Sequence, residues 1–451
     1  MSQNRNDILN GKLAPSIFKY AIPLAFTGIL QQLFNAADVA VVGRFAGTNA
    51  MAAVGSNSPL IGILVNLFVG ISLGSNVVIA HASGTNDDAR IEKAVHTSIL
   101  VAIIGGILVT ILGECLAIPV VSLLGVPDEV FPEAVLYLRI YLLGMPVILL
   151  YNFESAIFRS RGNTRTPLIA LIISGGINVC LNLTFVLGAG MTVDGVALAT
   201  VISNLISSVI LFICLMRSED KIHLDVRKLR IDGKVLKKIL KIGIPSGVQG
   251  MVFSLANIVV QSAINSLGAN IMAASSAAFN LEIIAFYMMN SYGQACTTFV
   301  GQNYGAGKNE RCVKVLRTAL LLSAVSTAVV CCTILLFGHQ LLGLFNTDPD
   351  VIASGMIRLR FIFFAYCFSF AQEALSGYLR GWGISTIPAV STVIGVCGTR
   401  LFWIFVVFPL APSFATIMEI YPISLGLTAL VMLIFTLVIR PSKRYAGRTD
   451  L

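Results

Sequence analysis

A single carboxylate, Asp38, stands inside the apolar run YAIPLAFTGILQQLFNAADVAVVGRFAG that extends from Tyr20 to Gly47. A charged Asp near the middle of a membrane-crossing helix costs about 2.5–3.5 kcal/mol, so a bound cation, a proton or hydrogen-bonding partners must offset it. Gln31 and Asn35 lie seven and three residues before Asp38, which places all three on one helical face. Pro23 removes a backbone donor earlier in the run and marks a candidate hinge. Asn178 and Asn182, four apart, also share a face, and Thr200 follows the turn at Asp194-Gly195. One carboxylate with several neutral oxygens is the hard-oxygen ligand set that an alkali cation accepts. The other reading of the Asn and Thr residues is interhelical hydrogen bonding, worth about 0.6 kcal/mol each in helical membrane proteins.

Other intramembrane charges are fewer in kind. Glu282 and Glu373 could draw cationic substrates into a cavity, and Glu373 takes the place of Asn152 in the internal repeat described below. Arg400 is the only base deep in an apolar run, and its expected role is to pair with Glu282 or Glu373. Glu154 is expected to pair with Arg159. His81, His96, His223 and His339 fall near loops or interfaces and read as structural.

The elements that must position these groups follow from composition. The chain has 451 residues, 56% hydrophobic and only 12% charged, with a mean hydropathy of +0.86. Such a chain is a polytopic membrane protein rather than a soluble one. Twelve apolar spans are expected, at roughly 20–43, 57–80, 94–118, 135–158, 166–188, 195–216, 243–266, 271–300, 318–338, 357–379, 387–409 and 420–439, each near the length a helix needs to cross. The runs are too long and too uniformly apolar for a β-barrel. The net charge of +9 comes from bases in short loops, without the basic-aromatic clusters of a nucleic-acid binder. With a cytoplasmic N-terminus, all of the 31 Lys and Arg fall on the cytoplasmic side except Arg44, Arg139, Arg358 and Arg360, which fall outside, and Arg400. This asymmetry predicts both termini inside. The nine cysteines mostly lie within spans and read as free thiols, neither zinc ligands nor disulfides.

The chain also repeats itself. A shift of 221 brings Gly47, Asn49, Met51, Ala52 and Ala53 onto Gly268, Asn270, Met272, Ala273 and Ala274, and Arg159, Gly162 and Pro167 onto Arg380, Gly383 and Pro388. In the first helix the shift is 222, and Lys19, Ile22 and Pro23 meet Lys241, Ile244 and Pro245. Each unit holds six spans, so both copies enter the membrane from the same side and are related by an axis along its normal. The expected fold is therefore all-α, with twelve transmembrane helices in two six-helix bundles. The first bundle covers residues 1–216, the second 239–451, and the charged linker 217–238 between them reads as an amphipathic surface helix or a solvated loop. The polar groups are unequally shared: Asp38 meets Val260, Asn178 meets Thr399, Asn182 meets Trp403 and Thr200 meets Tyr421.

Enzyme signatures are missing: there is no HExxH, GxSxG, Walker A or CxxC motif. The stretches IPLAFTGILQQLFNAADVAVVGRFAG with MAAVGSNSP, RSRGNTRTPL, NVCLNLTF, DGVALATVIS, and VGQNYGAGK with LRGWG stand in that order within a twelve-span double repeat. In this the chain resembles the multidrug and toxic compound extrusion (MATE) family. The resemblance implies export of organic, often cationic compounds against sodium or proton entry, with no cofactor. It implies that Asp38, Asn178, Asn182 and Thr200 bind the cation, and that Gln31 and Asn152 line the substrate cavity beside Asn35, Glu282 and Glu373. A second acid that some members carry in the fifth helix is Asn182 here, which leaves one carboxylate in the site. The expected function is a secondary active antiporter for small, cationic and amphipathic organic molecules, in a bacterial plasma membrane and without an obligatory protein partner. A flippase for lipid-linked saccharides or envelope precursors is the alternative, and a cavity richer in bases than this one would favour it.

Overall fold

The computed structural model describes residues 8–444, and all regular elements among them are helical. The outer limits of the two expected bundles, at residues 1 and 451, lie outside the described residues. Twelve spanning elements follow in order: α1 (Leu13–Ala46), α2 (Thr48–Thr85), α3 (Asp88–Leu123), α4 (Phe131–Leu143 and Met145–Ser160), α5 (Arg165–Gly188), α6 (Val193–Met216), α7 (Gly233–Asn265), α8 (Ala269–Gly305), α9 (Asn309–Leu336), α10 (Pro349–Gly381), α11 (Thr386–Leu410) and α12 (Phe414–Ile439). α4 is the exception to a straight span: it bends by 48° where Gly144 separates its two segments and Pro146 follows. Several helices are longer than a bilayer core requires, such as the 38 residues of α2, so their ends project beyond it.

The repeat is visible in the backbone. Gly47 and Gly268 immediately precede α2 and α8 with φ of 99° and 100°, a conformation open to glycine and strained for other residues. α1 and α5 finish in π-helical turns, Val42–Ala46 and Thr184–Gly188, and α11 contains two more, at Val393–Gly398 and Trp403–Val407. Such turns recur at functional sites, and the first two follow Asp38 and Asn182 directly.

The two bundles cross-brace each other. α2 of the first packs against α7 and α8 of the second, and α1 packs against α8. At the α2–α7 crossing the backbones touch: a Cβ on Gly74 would lie 2.3 Å from the Ile239 carbonyl oxygen, and one on Gly243 would lie 2.7 Å from Ile71 Cα. Small residues permit this approach where helices cannot rely on the hydrophobic effect to associate. Two hydrogen bonds related by the repeat close the basic end. His81 Nε2 sits 2.7 Å from the Gly381 carbonyl oxygen, and Gln302 Nε2 donates to the Ser160 carbonyl oxygen at 2.6 Å. Residues 81 and 160 of the first bundle are the repeat mates of 302 and 381 in the second. Among the described residues, the bundle-to-bundle hydrogen bonds reach no further from this end than Asn66 to Ser254 (2.8 Å).

The segment between bundles is neither of the forms expected for it. Apart from the short turn Val226–Lys228 it is non-helical until Asp232 caps α7 by accepting from Lys234 N and Val235 N. Ile222 and Leu224 are buried in the apolar core of the first bundle, and Arg161 holds Asp220 in a two-pronged ion pair at 2.6 and 3.0 Å. The segment is a strap tied to α3 and α4, because it carries apolar residues that a solvated loop would leave exposed.

Candidate functional site

The α1, α5 and α6 helices bring four of the expected residues to one point. Asp38 is only 6% exposed. Asn182 Nδ2 donates to its Oδ1 at 2.5 Å, and the Thr200 hydroxyl donates to its Oδ2 at 3.1 Å. The same Asn182 amide reaches Asn178 Oδ1 at 3.2 Å, as their spacing on one helical face requires. Asn178, Asn182 and Thr200 are buried with Asp38. No Lys, Arg or His lies within ion-pairing distance of Asp38 among the described residues. The carboxylate is thus met by neutral donors alone, while Asn182 Oδ1 is buried without a partner. Two carboxylate oxygens, the Asn178 amide oxygen and the Thr200 hydroxyl converge here, a set suited to a small hard cation or to a proton on the carboxyl.

Tyr137 and Tyr141 of α4 lie within electrostatic reach of Asp38 and were missed by sequence reasoning. Their i, i+4 spacing on the helix opposite was the available signal. Gln31 and Asn35 are not among the hydrogen-bonding partners of Asp38: Gln31 is half-buried and Asn35 exposed. Asn152 is half-buried and donates to the Ile148 carbonyl oxygen at 2.8 Å. Pro23 sits inside α1, and Thr27 donates to its carbonyl oxygen at 2.9 Å.

The second bundle departs from expectation. Arg400 pairs with neither Glu282 nor Glu373. Its guanidinium, 1% exposed, donates to Asn257 Oδ1 at 2.5 Å and to Ser424 Oγ at 3.4 Å, and lies 4.6 Å from the centre of the Tyr421 ring. Glu282 is taken by Arg358 instead, in a buried fork of 2.6 and 2.9 Å, and Ser275 holds the third guanidinium nitrogen. Arg358 is therefore buried inside the bundle, at 3% exposure. Within this pair the Glu282 carboxylate is neutralised by Arg358. Glu373 is half-buried, with Asn290 Nδ2 at 3.4 Å and Arg380 Nη2 at 3.9 Å. Glu154 is not paired with Arg159: the Ser208 hydroxyl donates to it at 2.9 Å, and Arg159 turns to Gln294 Oε1 at 3.3 Å.

The sequence profile of the MatE family matches residues 23–184 and 245–408, the two repeat units in turn. The chain is 27% identical over 401 residues to "Probable multidrug resistance protein YoeA" of Bacillus subtilis (strain 168), covering 86% of this chain and 87% of that one. It is 27% identical over 396 residues to "Probable multidrug resistance protein NorM" of Thermotoga maritima, covering 86% and 84%. Among solved structures, a "Crystal structure of MATE in complex with MaL6" superposes with a TM-score of 0.91 over 98% of this chain and 99% of that one, at 22% identity.

Proposed function

The chain belongs to the MATE family of multidrug efflux transporters, and from that premise we propose that it is an antiporter that exports small organic cations in exchange for sodium ions or protons bound at Asp38. It is a transporter, not an enzyme. The observation that carries the proposal is the Asp38 site itself: a buried carboxylate inside a membrane bundle, met by Asn182 and Thr200 and by no basic group. Such a group is stable there when a cation or proton joins it, and its two states differ in charge.

The bundles give the exchange its mechanical side. They are held together at the basic end by the His81 and Gln302 bonds, and their hydrogen bonds stop at Asn66 and Ser254. We take the basic end as cytoplasmic, which makes this conformation closed to the cytoplasm, and we assign the protein to a bacterial plasma membrane with both termini inside. Gln31, Asn35, Asn152 and Glu373 are the residues assigned to the substrate path, with Pro23 as the hinge of α1. Ion and substrate need only prefer different conformations; that difference is the coupling.

One observation bears on the flippase alternative, the buried base Arg400. Two of its nitrogens are engaged by Asn257 and Ser424 and its face by Tyr421, partners within the bundle that weigh against a role in holding an anionic headgroup. The test is efflux of ethidium from cells that express the protein. Asp38→Asn should reach the membrane in wild-type amount and retain the dye. Wild-type efflux by that variant would overturn the site assignment.

A further inference from the structure

Among the described residues, Glu154 is the one buried carboxylate of the first bundle that the proposed exchange leaves without a role, at 0% exposure. Oε2 accepts from the Ser208 hydroxyl at 2.9 Å, and Oε1 has no partner. Its helix neighbours Phe153 and Ile157 belong, with Ile99 and Leu211, to the buried apolar core of the first bundle. An ionised carboxylate with one hydroxyl donor in such a place is far costlier than a neutral carboxyl.

The helices packed around it supply no counter-charge. α6 has no ionisable side chain from Val196 to Ile213. In α2 the ionisable group is His81, engaged at Gly381. α3 carries Asp88, Arg90, Glu92, Lys93 and His96 at the basic end, with Glu114 and Cys115 toward the other, where Glu114 faces Arg139. α5 carries Arg165 and Cys180 near its two ends. On α4 itself Tyr151 stands one turn away and Arg159 is turned to Gln294.

Both carboxylates touch the same helix. Thr200 of α6 meets Asp38 and Ser208 meets Glu154. Between them Ser203, Asn204 and Ser207 fall at i+3, i+4 and i+7 from Thr200, a polar stripe on one face of α6. Eight residues at about 1.5 Å each separate the two contacts by about 12 Å along the helix.

We propose that Glu154 is a second proton site of the first bundle, which takes the proton from Asp38 along the polar stripe of α6 and releases it at the basic end. This rests on the antiport reading with the proton as coupling ion. When the basic end opens, Glu154 releases its own proton to cytoplasmic water, and the proton that then leaves the Asp38 carboxyl restores the Asp38 carboxylate and neutralises that of Glu154. The distance requires waters along the stripe to relay it.

Infrared spectra of the purified protein in liposomes at neutral pH test the site, and efflux of tetraphenylphosphonium driven by a proton gradient tests the role. Glu154→Gln has the shape and neutrality of the protonated side chain, so it keeps the packing. The band of a buried protonated carboxyl should be present in wild type, absent in Glu154→Gln, retained in Asp38→Asn and shifted in Ser208→Ala. Proton-driven efflux should fall at least tenfold in Glu154→Gln, with tetraphenylphosphonium binding retained. A carboxyl band unchanged by Glu154→Gln overturns the site. Proton-driven efflux by that variant equal to wild type, with the same pH profile, overturns the carrier role alone. Absence of any gradient-driven efflux by wild type overturns the antiport reading with it, and the infrared comparison still decides whether Glu154 holds a proton.

Discussion

Asp38 owes its place to two donors, one on each of two helices. A hydrogen bond to a charged group is worth about 1.5–3 kcal/mol, so losing the one from Asn182 changes an equilibrium at the site by about tenfold or more. With sodium as the coupling ion, Asn182→Leu removes the donor that holds Asp38 in place. The sodium concentration for half-maximal efflux should then rise at least about tenfold, with the KM for the organic substrate unchanged. Initial efflux rates over a sodium series check this, and an unaltered sodium dependence would contradict it. The Glu282–Arg358 fork obeys a different logic. Removing one partner of a buried pair strands the other and costs about 3–5 kcal/mol, whereas replacing both by neutral side chains costs little. Glu282→Gln should therefore lower the thermal unfolding midpoint in detergent, and Glu282→Gln with Arg358→Met should recover part of the loss. A double variant less stable than the single one would show that the pair stabilises the bundle outright.

At the scale of helices, the α2–α7 crossing depends on missing side chains. A Cβ on Gly70 would fall 2.1 Å from the Gly247 backbone nitrogen, and one on Gly74 2.3 Å from the Ile239 carbonyl oxygen. Neither neighbour is the flexible tip of a side chain, so the helices must separate. Overpacking of this kind typically costs about 1–3 kcal/mol. Gly74→Val should lower stability and weaken the bonds that close the basic end; spin labels on the basic ends of α2 and α8 would read the distance as longer or broader than in wild type. The helices themselves, their number and the repeat were legible in the sequence, because apolar length and a constant shift are one-dimensional signals. The grouping of Asn178, Asn182 and Thr200 with Asp38 came from the family resemblance, since spacing told only that two of them share a face and that the carboxylate demanded partners. The choice of partner in the second bundle was not legible. Arg358 and Arg400 compete for Glu282, and which one wins depends on how each helix is rotated about its axis. In a chain whose lipid-facing and core-facing residues are both apolar, hydropathy does not encode that rotation. The strap after α6 escaped for a related reason: Ile222 and Leu224 are two apolar residues in a charged segment, too few to give a period.

For the whole molecule, alternation between two faces requires the bundles to part at the end where they now meet. Asn66 and Ser254 are hydrogen-bonded across the bundles at 2.8 Å, near the limit of that contact. Cysteines at these two positions, in a protein lacking its native thiols, should react with a short bifunctional crosslinker and stop turnover until the link is cut. Full transport by the crosslinked protein would mean that the bundles move as one body there. The central claim is that ion entry at Asp38 drives organic cation export, and proteoliposomes test it most directly. Efflux of tetraphenylphosphonium is measured under an imposed sodium gradient, then under a proton gradient, for wild type and Asp38→Asn. The account predicts transport driven by one of these gradients in wild type and none in the variant. Transport that ignores both gradients, or that survives in Asp38→Asn, would contradict it.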